Sequence, residues 1–257
     1  MMEEAKNVKV TYICCSNNPQ QLQSMLLPSL QLVKSAYGKN VNWLIIDTNQ
    51  KKYPSAAAAY NHELEENKQV LGDILIFCHN DIAFENTDFH DFVVKTLLRD
   101  SNQIIGVAGK DEHNKVPSNL RYFANKEYIT RTRIEKPMEV CSVDECCFAM
   151  TKELYTKIKF DEATCYHWHL YAVDFCYAAS LYRNTKVIVS DVSIFHKMSG
   201  DSGLYTDSKF LKTMWRMVRK YHHQVKVIYT PCYLCHTNYL QALLEIGKTT
   251  LENLIKK

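Results

Sequence analysis

The chain has 257 residues, of which 46% are hydrophobic and 23% are charged, and its formal net charge is +3. These values describe an ordinary globular protein that is long enough for a substantial core, and so small a charge does not favour nucleic acid as a partner. Residues 1–9 are polar and no apolar signal segment follows them, so we expect a cytoplasmic protein whose ten cysteines are reduced thiols.

The first 110 residues alternate short apolar runs with helical patterns. Strands are predicted at residues 8–15, 41–47, 74–78 and 103–109, and the suitable N-caps for helices between them are Asn18, Ser55 and Thr87. This alternation predicts an α/β fold with a mostly parallel sheet flanked by helices. The glycine signatures of dinucleotide-binding and P-loop proteins are absent, which excludes hydride-transfer enzymes and P-loop ATPases of those types.

The remainder of the chain is less regular. Residues 110–138 show no sustained period, and they form either a substrate lid or an ordinary loop. Strands are predicted again at residues 140–150 and 186–191, and no linker composition divides the chain before its C-terminal helices. We therefore predict a main domain at residues 1–205 and a helical extension at residues 206–257 that packs on it.

Two amphipathic helices are predicted in the extension. Residues 210–221 combine an apolar face with several Lys and Arg residues, which fits packing on the main domain, the simpler interpretation, or contact with an anionic membrane. Residues 240–255 are equally suited to a homodimer contact. Between the helices, Cys232, Cys235 and His236 match a short haem-attachment pattern, or they could form a zinc site with His222 and His223, although buried thiols are the simpler interpretation.

The most informative stretch is residues 72–85, GDILIFCHNDIAFE. Its uninterrupted apolar run is typical of a strand that is covered on both faces, and His79, Asn80 and Asp81 follow the run at once. Open α/β sheets bind their ligands at the carboxyl ends of strands. The stretch therefore predicts a metal or phosphate site, with an ordinary polar turn as the alternative.

Two later stretches add further polar groups. Residues 160–175, FDEATCYHWHLYAVDF, place carboxylates and imidazoles beside aromatic rings, a mixture that suits a sugar ring and its hydroxyl groups. Asp174 lies near the first turn of a predicted helix, where it either activates a hydroxyl or only complements the helix dipole. His196 follows a strand and precedes a Ser/Gly-rich loop, and it is either a structural residue or a ligand.

Taken in this order, the stretches resemble GT-A fold, family 2-like glycosyltransferases, particularly bacterial ones linked to capsule and surface polysaccharides. The resemblance covers roughly residues 8–205. It implies a Rossmann-like central sheet with a C-terminal helical appendage, and a divalent cofactor, Mn²⁺ or Mg²⁺. By the same resemblance, the donor and nucleotide side holds Ser16, Asp47, Asn61, His79 and Asp81, and the metal site holds Asp81 and His196.

The resemblance also implies residues on the acceptor side. The catalytic base is placed on Asp174, and the acceptor-side candidates are Asp144, Glu145, Trp168 and His169, of which the first two are reserve candidates for the base. The sequence departs from the family at two positions. The metal triplet usually begins with aspartate, where this chain has His79, and many members have an acidic pair where this chain reads Ala172-Val173-Asp174.

The implied reaction is a metal-dependent, inverting transfer of a sugar from a nucleotide-sugar, expected to be a UDP-sugar, to a saccharide or lipid-linked acceptor in surface polysaccharide synthesis. A lipid-linked acceptor would fit peripheral contact with the inner face of the membrane. One alternative is a nucleotidyltransferase, although residues 13–20 lack the usual glycine-rich phosphate loop. Another is a non-catalytic protein of this fold that binds a nucleotide or a glycan.

Overall fold

The computed structural model describes residues 7–50, 52–129, 132–197 and 207–255. The strands, in chain order, are β1 (Val10–Ser16), β2 (Val41–Asp47), β3 (Ile74–Cys78), β4 (Ile82–Ala83), β5 (Gln103–Gly106), β6 (Gly109–Lys110), β7 (Arg121–Tyr122), β8 (Met138–Glu139), β9 (Ser142–Val143), β10 (Cys147–Thr151), β11 (Lys186–Val189), β12 (Phe195–His196), β13 (Val227–Tyr229) and β14 (Leu234–His236). The longer helices are α1 (Leu27–Tyr37), α2 (Ala56–Glu66), α3 (Asp88–Arg99), α4 (Lys152–Ile158), α5 (Tyr171–Arg183), α6 (Ser208–Tyr221) and α7 (Tyr239–Ile255).

The central sheet contains seven strands in the order β2-β1-β3-β10-β5-β11-β8. Five of them run parallel, whereas β10 and the edge strand β8 are antiparallel to their neighbours. Helices cover both faces, which explains why every residue of β3 is buried. The predicted α/β fold with a mostly parallel sheet is confirmed.

Two apolar cores lie on opposite faces of this sheet. On one face, aromatic side chains of the sheet and of the segment after α4 pack against α2 and α5, including Tyr60, Phe77, Phe148, Phe160 and Phe175. On the other face, side chains of β1 and β3 pack against α1 and α3, including Tyr12, Leu26, Leu30, Ile76, Phe89 and Val93. Because side chains alternate along a strand, neighbouring residues such as Ile76 and Phe77 serve different cores.

The entry to β3 requires a close approach to β1. A Cβ atom on Gly72 would lie 2.3 Å from the Lys9 carbonyl oxygen, so a larger residue would push the two segments apart. With glycine there, the amides of Asp73 and Ile74 both reach the Lys9 carbonyl. This contact sets the register in which Val10 faces Ile74.

Two segments differ from the pattern that the sequence predicts. The single strand expected at residues 140–150 is divided into β9 and β10, and Asp144 and Glu145 lie in the connection between them. Part of the excursion at residues 110–138 is also ordered, because β7 pairs with β12, whose His196 lies beside the end of β3. The excursion is therefore attached to the edge of the sheet at which the polar triplet lies.

The C-terminal residues contain α6, the β13–β14 hairpin and α7. The apolar face of α6 is buried in a third core, against Leu170, Val173 and Tyr177, so this face packs on the chain itself. In α7 only Ala242 is buried, and six large apolar side chains are each more than half exposed: Leu240, Leu243, Leu244, Leu251, Leu254 and Ile255. The boundary expected between residues 205 and 206 lies outside the described residues.

No helix within the described ranges has both the length and the apolar character needed to cross a bilayer.

Candidate functional site

The site lies where β1, β2 and β3 end side by side. Ser16, the last residue of β1, is in register with Asp47, the last residue of β2. Beside them, β3 ends at Cys78 and the chain turns away from the sheet through the polar triplet. The turn is fixed by two hydrogen bonds, from the His79 amide to the Cys146 carbonyl (2.9 Å) and from the Asn80 side chain to the Ser16 hydroxyl (3.1 Å).

A cluster of two imidazoles and one carboxylate is assembled at this turn. Nε2 of His196 lies 3.3 Å from Oδ2 of Asp81, and Nδ1 of His79 lies 3.9 Å from Oδ1 of the same aspartate. One ligand atom from each residue lies within 4.8 Å of the other two, and no other group of this kind occurs in the described part of the chain. The antiparallel pairing of β12 with β4 brings His196 to the triplet from far along the sequence.

The pKa shifts of the three residues leave the cluster in protonation states that suit a bound cation. Burial alone would raise the pKa of Asp81, but the hydrogen bond and charge of His196 outweigh it and lower that pKa. Burial lowers the pKa of His79, whereas for His196 the bond to Asp81 outweighs burial and raises the pKa. At neutral pH the cluster therefore offers an ionised carboxylate and at least one neutral imidazole, the protonation states that metal ions need.

One atom of the cluster lacks a partner. Oδ1 of Asp81 is buried, and among the described residues no group donates a hydrogen bond to it. A buried carboxylate oxygen without a donor or cation is costly. A divalent cation held by His79, Asp81 and His196 would remove this cost, so the residues that are present fit a metal site.

Two cavities meet at the cluster, and His79 and Asp81 line both. The first, which we name the Trp168 cavity, has a volume of about 320 Å³. It extends toward the ends of β1 and β2, and its other lining residues include Cys15, Asn17, Thr48, Ala56, Asn80, Trp168 and Tyr171. An indole 39% exposed beside a polar strand end is suited to cover a planar ring.

The second cavity, which we name the Glu145 cavity, has a volume of about 300 Å³ and lies on the other side of the cluster. Asp144 and Glu145 project into it, with His169, His196 and Lys197 on its walls. Residues of the ordered excursion and of the C-terminal hairpin complete the lining: Val116, Leu120, Ile129, Thr230 and Cys232. Two carboxylates at the wall of a cavity can accept a proton from, or orient, the hydroxyl groups of a bound molecule.

Glu145 differs from its neighbour Asp144. Burial and the charge of Asp144 raise the pKa of Glu145, although backbone amides at the start of α5 partly oppose this effect. Its Oε1 atom is buried without a hydrogen-bond partner in the described chain. Glu145 is therefore suited to hold a proton and donate it in a hydrogen bond, whereas Oδ1 of Asp144 accepts a hydrogen bond from the Cys146 amide (2.9 Å).

The structure places Asp174 outside both cavities, which disagrees with the expected role of a base. Its side chain is only 2% exposed, and Lys220 donates to both of its carboxylate oxygens at 2.8 and 2.9 Å. The hydroxyl of Tyr221 donates to the same carboxylate at 2.9 Å. These bonds join α5 to α6 and leave no access for an acceptor hydroxyl.

Asn61 also lies outside both cavities, contrary to its expected place at the nucleotide. Its amide nitrogen donates to the Phe160 carbonyl and to Glu162, and its oxygen accepts from Tyr155 and from the Phe160 amide. All of its hydrogen-bonding capacity is thereby used. Asn61 fixes the segment that leads from α4 toward Trp168.

The other predicted residues lie at the strand ends or on the walls of the two cavities. Ser16 and Asp47 stand at the strand ends, but they support the rim: Ser16 accepts from the Thr48 amide, and Asp47 accepts from two amides of the following turn. Trp168, expected on the acceptor side, lines the Trp168 cavity, apart from the other three acceptor-side candidates. His169, Asp144 and Glu145 line the Glu145 cavity, as does His196.

Among the described residues, Cys232, Cys235 and His236 do not come together as a further set of potential metal ligands. Nδ1 of His236 lies 2.6 Å from Glu245 of α7, and Cys235 is buried in the third core. The structure therefore fits the interpretation of packed thiols for Cys235.

Sequence reasoning missed Thr48 at the Trp168 cavity and Lys197 at the Glu145 cavity. Thr48 directly follows Asp47, and Lys197 directly follows His196. Adjacency to a predicted ligand was a usable signal for both.

The solved structures that share this fold include three glycosyltransferases, although neither a protein-family model nor a curated protein sequence matches the chain. GalNAc-T7, solved with UDP, GalNAc and Mn²⁺, has a TM-score of 0.56 and 12% identity over 84% of this chain, which spans 48% of that enzyme. The match to the mannosyltransferase PcManGT from Pyrobaculum calidifontis, solved with GDP-Man and Mn²⁺, has a TM-score of 0.54 and 12% identity. It covers 96% of this chain and 71% of the mannosyltransferase chain.

The third is glucosyl-3-phosphoglycerate synthase from Mycobacterium tuberculosis, with Mn²⁺, UDP and phosphoglyceric acid. The match has a TM-score of 0.53 and 11% identity, and it covers 86% of this chain and 80% of the synthase chain. At such identities the similarity establishes the fold alone. The chain thus has the GT-A fold of these three glycosyltransferases, and it spans about half the length of GalNAc-T7.

Proposed function

We propose that this chain is a metal-dependent glycosyltransferase that moves a sugar from a nucleotide-sugar, expected to be a UDP-sugar, to a saccharide or lipid-linked acceptor. The main support is the buried Asp81 Oδ1, which lacks a partner in the described chain and lies beside two imidazoles at the wall shared by two cavities. A cation there would stand between a donor in one cavity and an acceptor in the other. The GT-A fold of three glycosyltransferases solved with Mn²⁺ supports the same proposal.

The proposed cation is held by His79, Asp81 and His196. When bound, it would neutralise the negative charge that develops on the leaving diphosphate. Two nitrogen ligands and one carboxylate suit Mn²⁺ and other transition ions better than Mg²⁺, which prefers an all-oxygen shell. We therefore propose Mn²⁺ before Mg²⁺.

The nucleotide is proposed to occupy the Trp168 cavity. Trp168 is placed to cover the base or the ribose, and Asn17 and Thr48 offer polar groups at the strand ends. Ser16 and Asp47 hold this rim in shape through the hydrogen bonds described above. The side chain of Asp81 then faces the diphosphate from the floor of the cavity.

The acceptor is proposed to enter the Glu145 cavity, and the role of base moves from Asp174 to Asp144. The acceptor hydroxyl attacks the anomeric carbon, its proton passes to the Asp144 carboxylate, and the bond to the nucleoside diphosphate breaks on the opposite side, which inverts the configuration. Glu145, holding its proton, donates a hydrogen bond to a sugar hydroxyl and orients it.

Two other functions remain alternatives. A nucleotidyltransferase would join the nucleoside monophosphate part of a nucleoside triphosphate to a sugar phosphate through a phosphoanhydride bond and would release pyrophosphate, and a non-catalytic protein would bind donor without turnover. The pair of carboxylates opposite the metal cluster favours transfer to a hydroxyl over both. Release of UDP from a UDP-sugar, stimulated by Mn²⁺, would distinguish transfer chemistry from both alternatives.

The exposed leucines of α7 are the surface that we propose for contacts beyond the substrate. A lipid-linked acceptor in surface polysaccharide synthesis would place the enzyme in the cytoplasm at the inner face of the membrane, with α7 on the lipid. A homodimer through the same leucines is the competing proposal. Flotation with anionic vesicles tests the first, and light scattering without vesicles tests the second.

The function is tested by calorimetric titration of UDP into the protein with Mn²⁺ and then with EDTA. We expect UDP to bind only with the metal, and the Asp81→Asn variant to lose this binding. If UDP binds equally well in EDTA, the metal role of Asp81 fails. If UDP, GDP, CMP and dTDP all fail to bind with Mn²⁺, the nucleotide-sugar proposal fails.

A further inference from the structure

A surface of exposed aromatic rings and basic side chains adjoins the Glu145 cavity. It belongs to the excursion after β6, and we name it the Tyr128 platform: Phe123, Lys126, Tyr128 and Arg133. Phe123 is 44% exposed and Tyr128 is 37% exposed, so part of each ring faces solvent. None of these residues takes part in the site described above.

The platform is attached to the site through the backbone. The Phe123 amide lies 3.3 Å from the carbonyl oxygen of His196, a residue of the metal cluster. Tyr128 directly precedes Ile129, which lines the Glu145 cavity together with Lys197. A chain-like molecule whose end occupies this cavity would therefore reach the platform with its next units.

The basic groups of the platform are available for an anion. The Arg133 guanidinium stacks on the ring of Tyr128, 3.9 Å from its centroid, and the Lys126 ammonium lies 5.9 Å from the ring of Phe195. Within the described residues, neither Lys126 nor Arg133 has an acidic side chain at ion-pair distance. A stacked guanidinium keeps its edge free to bind a carboxylate or phosphate with two parallel hydrogen bonds.

Arg121 lies in the same segment but, unlike Lys126 and Arg133, has an acidic partner. Its guanidinium lies 3.4 Å from Glu85 and donates to the Lys126 carbonyl, so it holds the platform together. Residues 110–138 as a whole contain seven Lys and Arg residues and four Asp and Glu residues, a net +3 equal to that of the entire chain. The segment that carries the platform is therefore net positive in sequence.

Charge is arranged in opposite ways inside the cavity and on the platform. The carboxylate of Asp144, the proposed base, lines the inside, where it would repel an acidic group on the reacting unit. Lys126 and Arg133 are exposed, belong to the segment that supplies Ile129 to the cavity wall, and carry no acidic partner in the described chain. A molecule that satisfies both regions has a neutral reacting unit and an anionic group on an adjoining unit.

We propose that the Tyr128 platform is a subsite for an anionic saccharide acceptor, whose sugar rings stack on Phe123 while Lys126 and Arg133, the latter held on the Tyr128 ring, bind a carboxylate or phosphate group. This proposal rests on the proposed function, because it names the acceptor class for the Glu145 cavity. It adds a requirement that the transfer chemistry alone does not impose, namely a negative charge outside the reacting unit.

The proposal is tested by calorimetry with four probes: tetragalacturonate, maltotetraose bearing a terminal phosphate, neutral maltotetraose and tetraglutamate. We expect at least one charged saccharide to bind about tenfold more tightly than neutral maltotetraose at low salt, and tetraglutamate to bind no better than the neutral sugar. The first two probes distinguish a carboxylate from a phosphate as the preferred group. Equal binding of all four, or binding of tetraglutamate equal to that of the charged sugars, would overturn the subsite.

Two variants connect the binding to the platform. Arg133→Gln is expected to weaken binding of the charged saccharide about fivefold to tenfold and to leave neutral maltotetraose unaffected. Arg99→Gln, which changes an exposed arginine at the end of α3, is the matched control and should change neither. If Arg133→Gln and Arg99→Gln behave alike, the platform is not the binding surface.

The titration of UDP with Mn²⁺ separates this proposal from the proposed function. If UDP binds and the charged saccharides do not exceed the neutral one, only the subsite is wrong. If the charged saccharides bind through Arg133 and no nucleotide binds, glycosyl transfer is wrong and the platform stands as a glycan-binding surface. Arg133→Gln should leave the affinity for UDP unchanged.

Discussion

Asp81, partly buried, and Asp174, fully buried, both lie in stretches that the sequence marks as functional, but their surroundings differ. Asp81 has an oxygen without a partner in the described chain, two imidazoles beside it and a cavity on either side. Asp174 has both oxygens occupied by Lys220 and one also by Tyr221, and it lines neither cavity. The comparison teaches that a buried carboxylate indicates chemistry when its charge is left uncompensated, and indicates packing when the chain itself compensates it.

The largest effect is expected for Asp81→Asn. The substitution keeps the size of the side chain but removes the charge that attracts a cation, so we expect Mn²⁺ affinity and Mn²⁺-dependent UDP binding to fall by about 100-fold or more. Calorimetry and the electron paramagnetic resonance signal of free Mn²⁺ measure the two losses. Because Asp174→Asn makes the same chemical change in the other cluster, it is the matched control and should bind Mn²⁺ normally. If both variants lose Mn²⁺ equally, the distinction between the two clusters is wrong.

For Asp174→Asn we expect a loss of stability instead. The variant leaves Lys220 with one carboxylate partner fewer in a largely buried position, and breaking a buried ion pair typically costs about 3 kcal/mol of unfolding free energy. Urea unfolding followed by tryptophan fluorescence measures this cost.

Asp144→Asn should behave in the opposite way, with nearly unchanged stability and turnover lower by about 10²–10⁴-fold. A stable Asp174→Asn variant that binds donor and has lost turnover would return the role of base to Asp174.

The sheet and its polar edge were predictable from the sequence because both depend on local patterns. The apolar run before His79 identifies a covered strand, and its abrupt end identifies the edge at which ligands bind. The alternation of strand and helix fixes the fold class for the same reason. These are properties of neighbouring residues, which one sequence displays directly.

The roles of Asp174 and Asn61 were not predictable because they depend on distant partners. Helical spacing indicates that Asp174 belongs to an inward-facing turn, but it does not indicate that Lys220 of α6 will lie opposite. Asn61 is likewise saturated by groups around Phe160, which lie about a hundred residues further along the chain. The cavity that Trp168 lines was not predictable for a related reason, because the sequence of the loop before α5 does not indicate toward which side of the cluster the loop turns.

A smaller effect, in metal preference, is expected for His79→Asp. The two imidazoles of the natural cluster favour Mn²⁺ over Mg²⁺, and we expect the difference in affinity to be about tenfold. Replacing His79 by aspartate restores the usual Asp-x-Asp triplet and should narrow that difference by strengthening Mg²⁺ binding. His113→Asp, at an exposed histidine remote in sequence from the cluster, is the control. A Mn²⁺-to-Mg²⁺ ratio that is identical in the natural protein and in His79→Asp would show that His79 is not a ligand.

The smallest effect concerns the pH dependence of stability at the other cluster. Lys220 also pairs with Asp161, at 2.8 Å. Burial alone would raise the pKa of Asp161, but hydrogen bonds from Lys220 and Thr164 outweigh it and lower the pKa from 3.8 to about 2. Because the pKa is lower in the folded than in the unfolded state, the stabilisation is complete above pH 4 and is lost as the pH falls through 2.

The shift of the Asp161 pKa corresponds to about 2 kcal/mol, which screening by solvent at this partly exposed carboxylate reduces to about 1 kcal/mol. We therefore expect Asp161→Asn to be less stable than the natural protein by about 1 kcal/mol at pH 5, with the gap closing toward pH 2. Urea unfolding at several pH values measures the gap. Glu135→Gln removes an exposed carboxylate that has no ion pair in the described chain, so its curve should run parallel to that of the natural protein. If the Asp161→Asn curve is also parallel, Lys220 stabilises the fold through Asp174 alone, and compensation of that one buried charge explains the whole cluster.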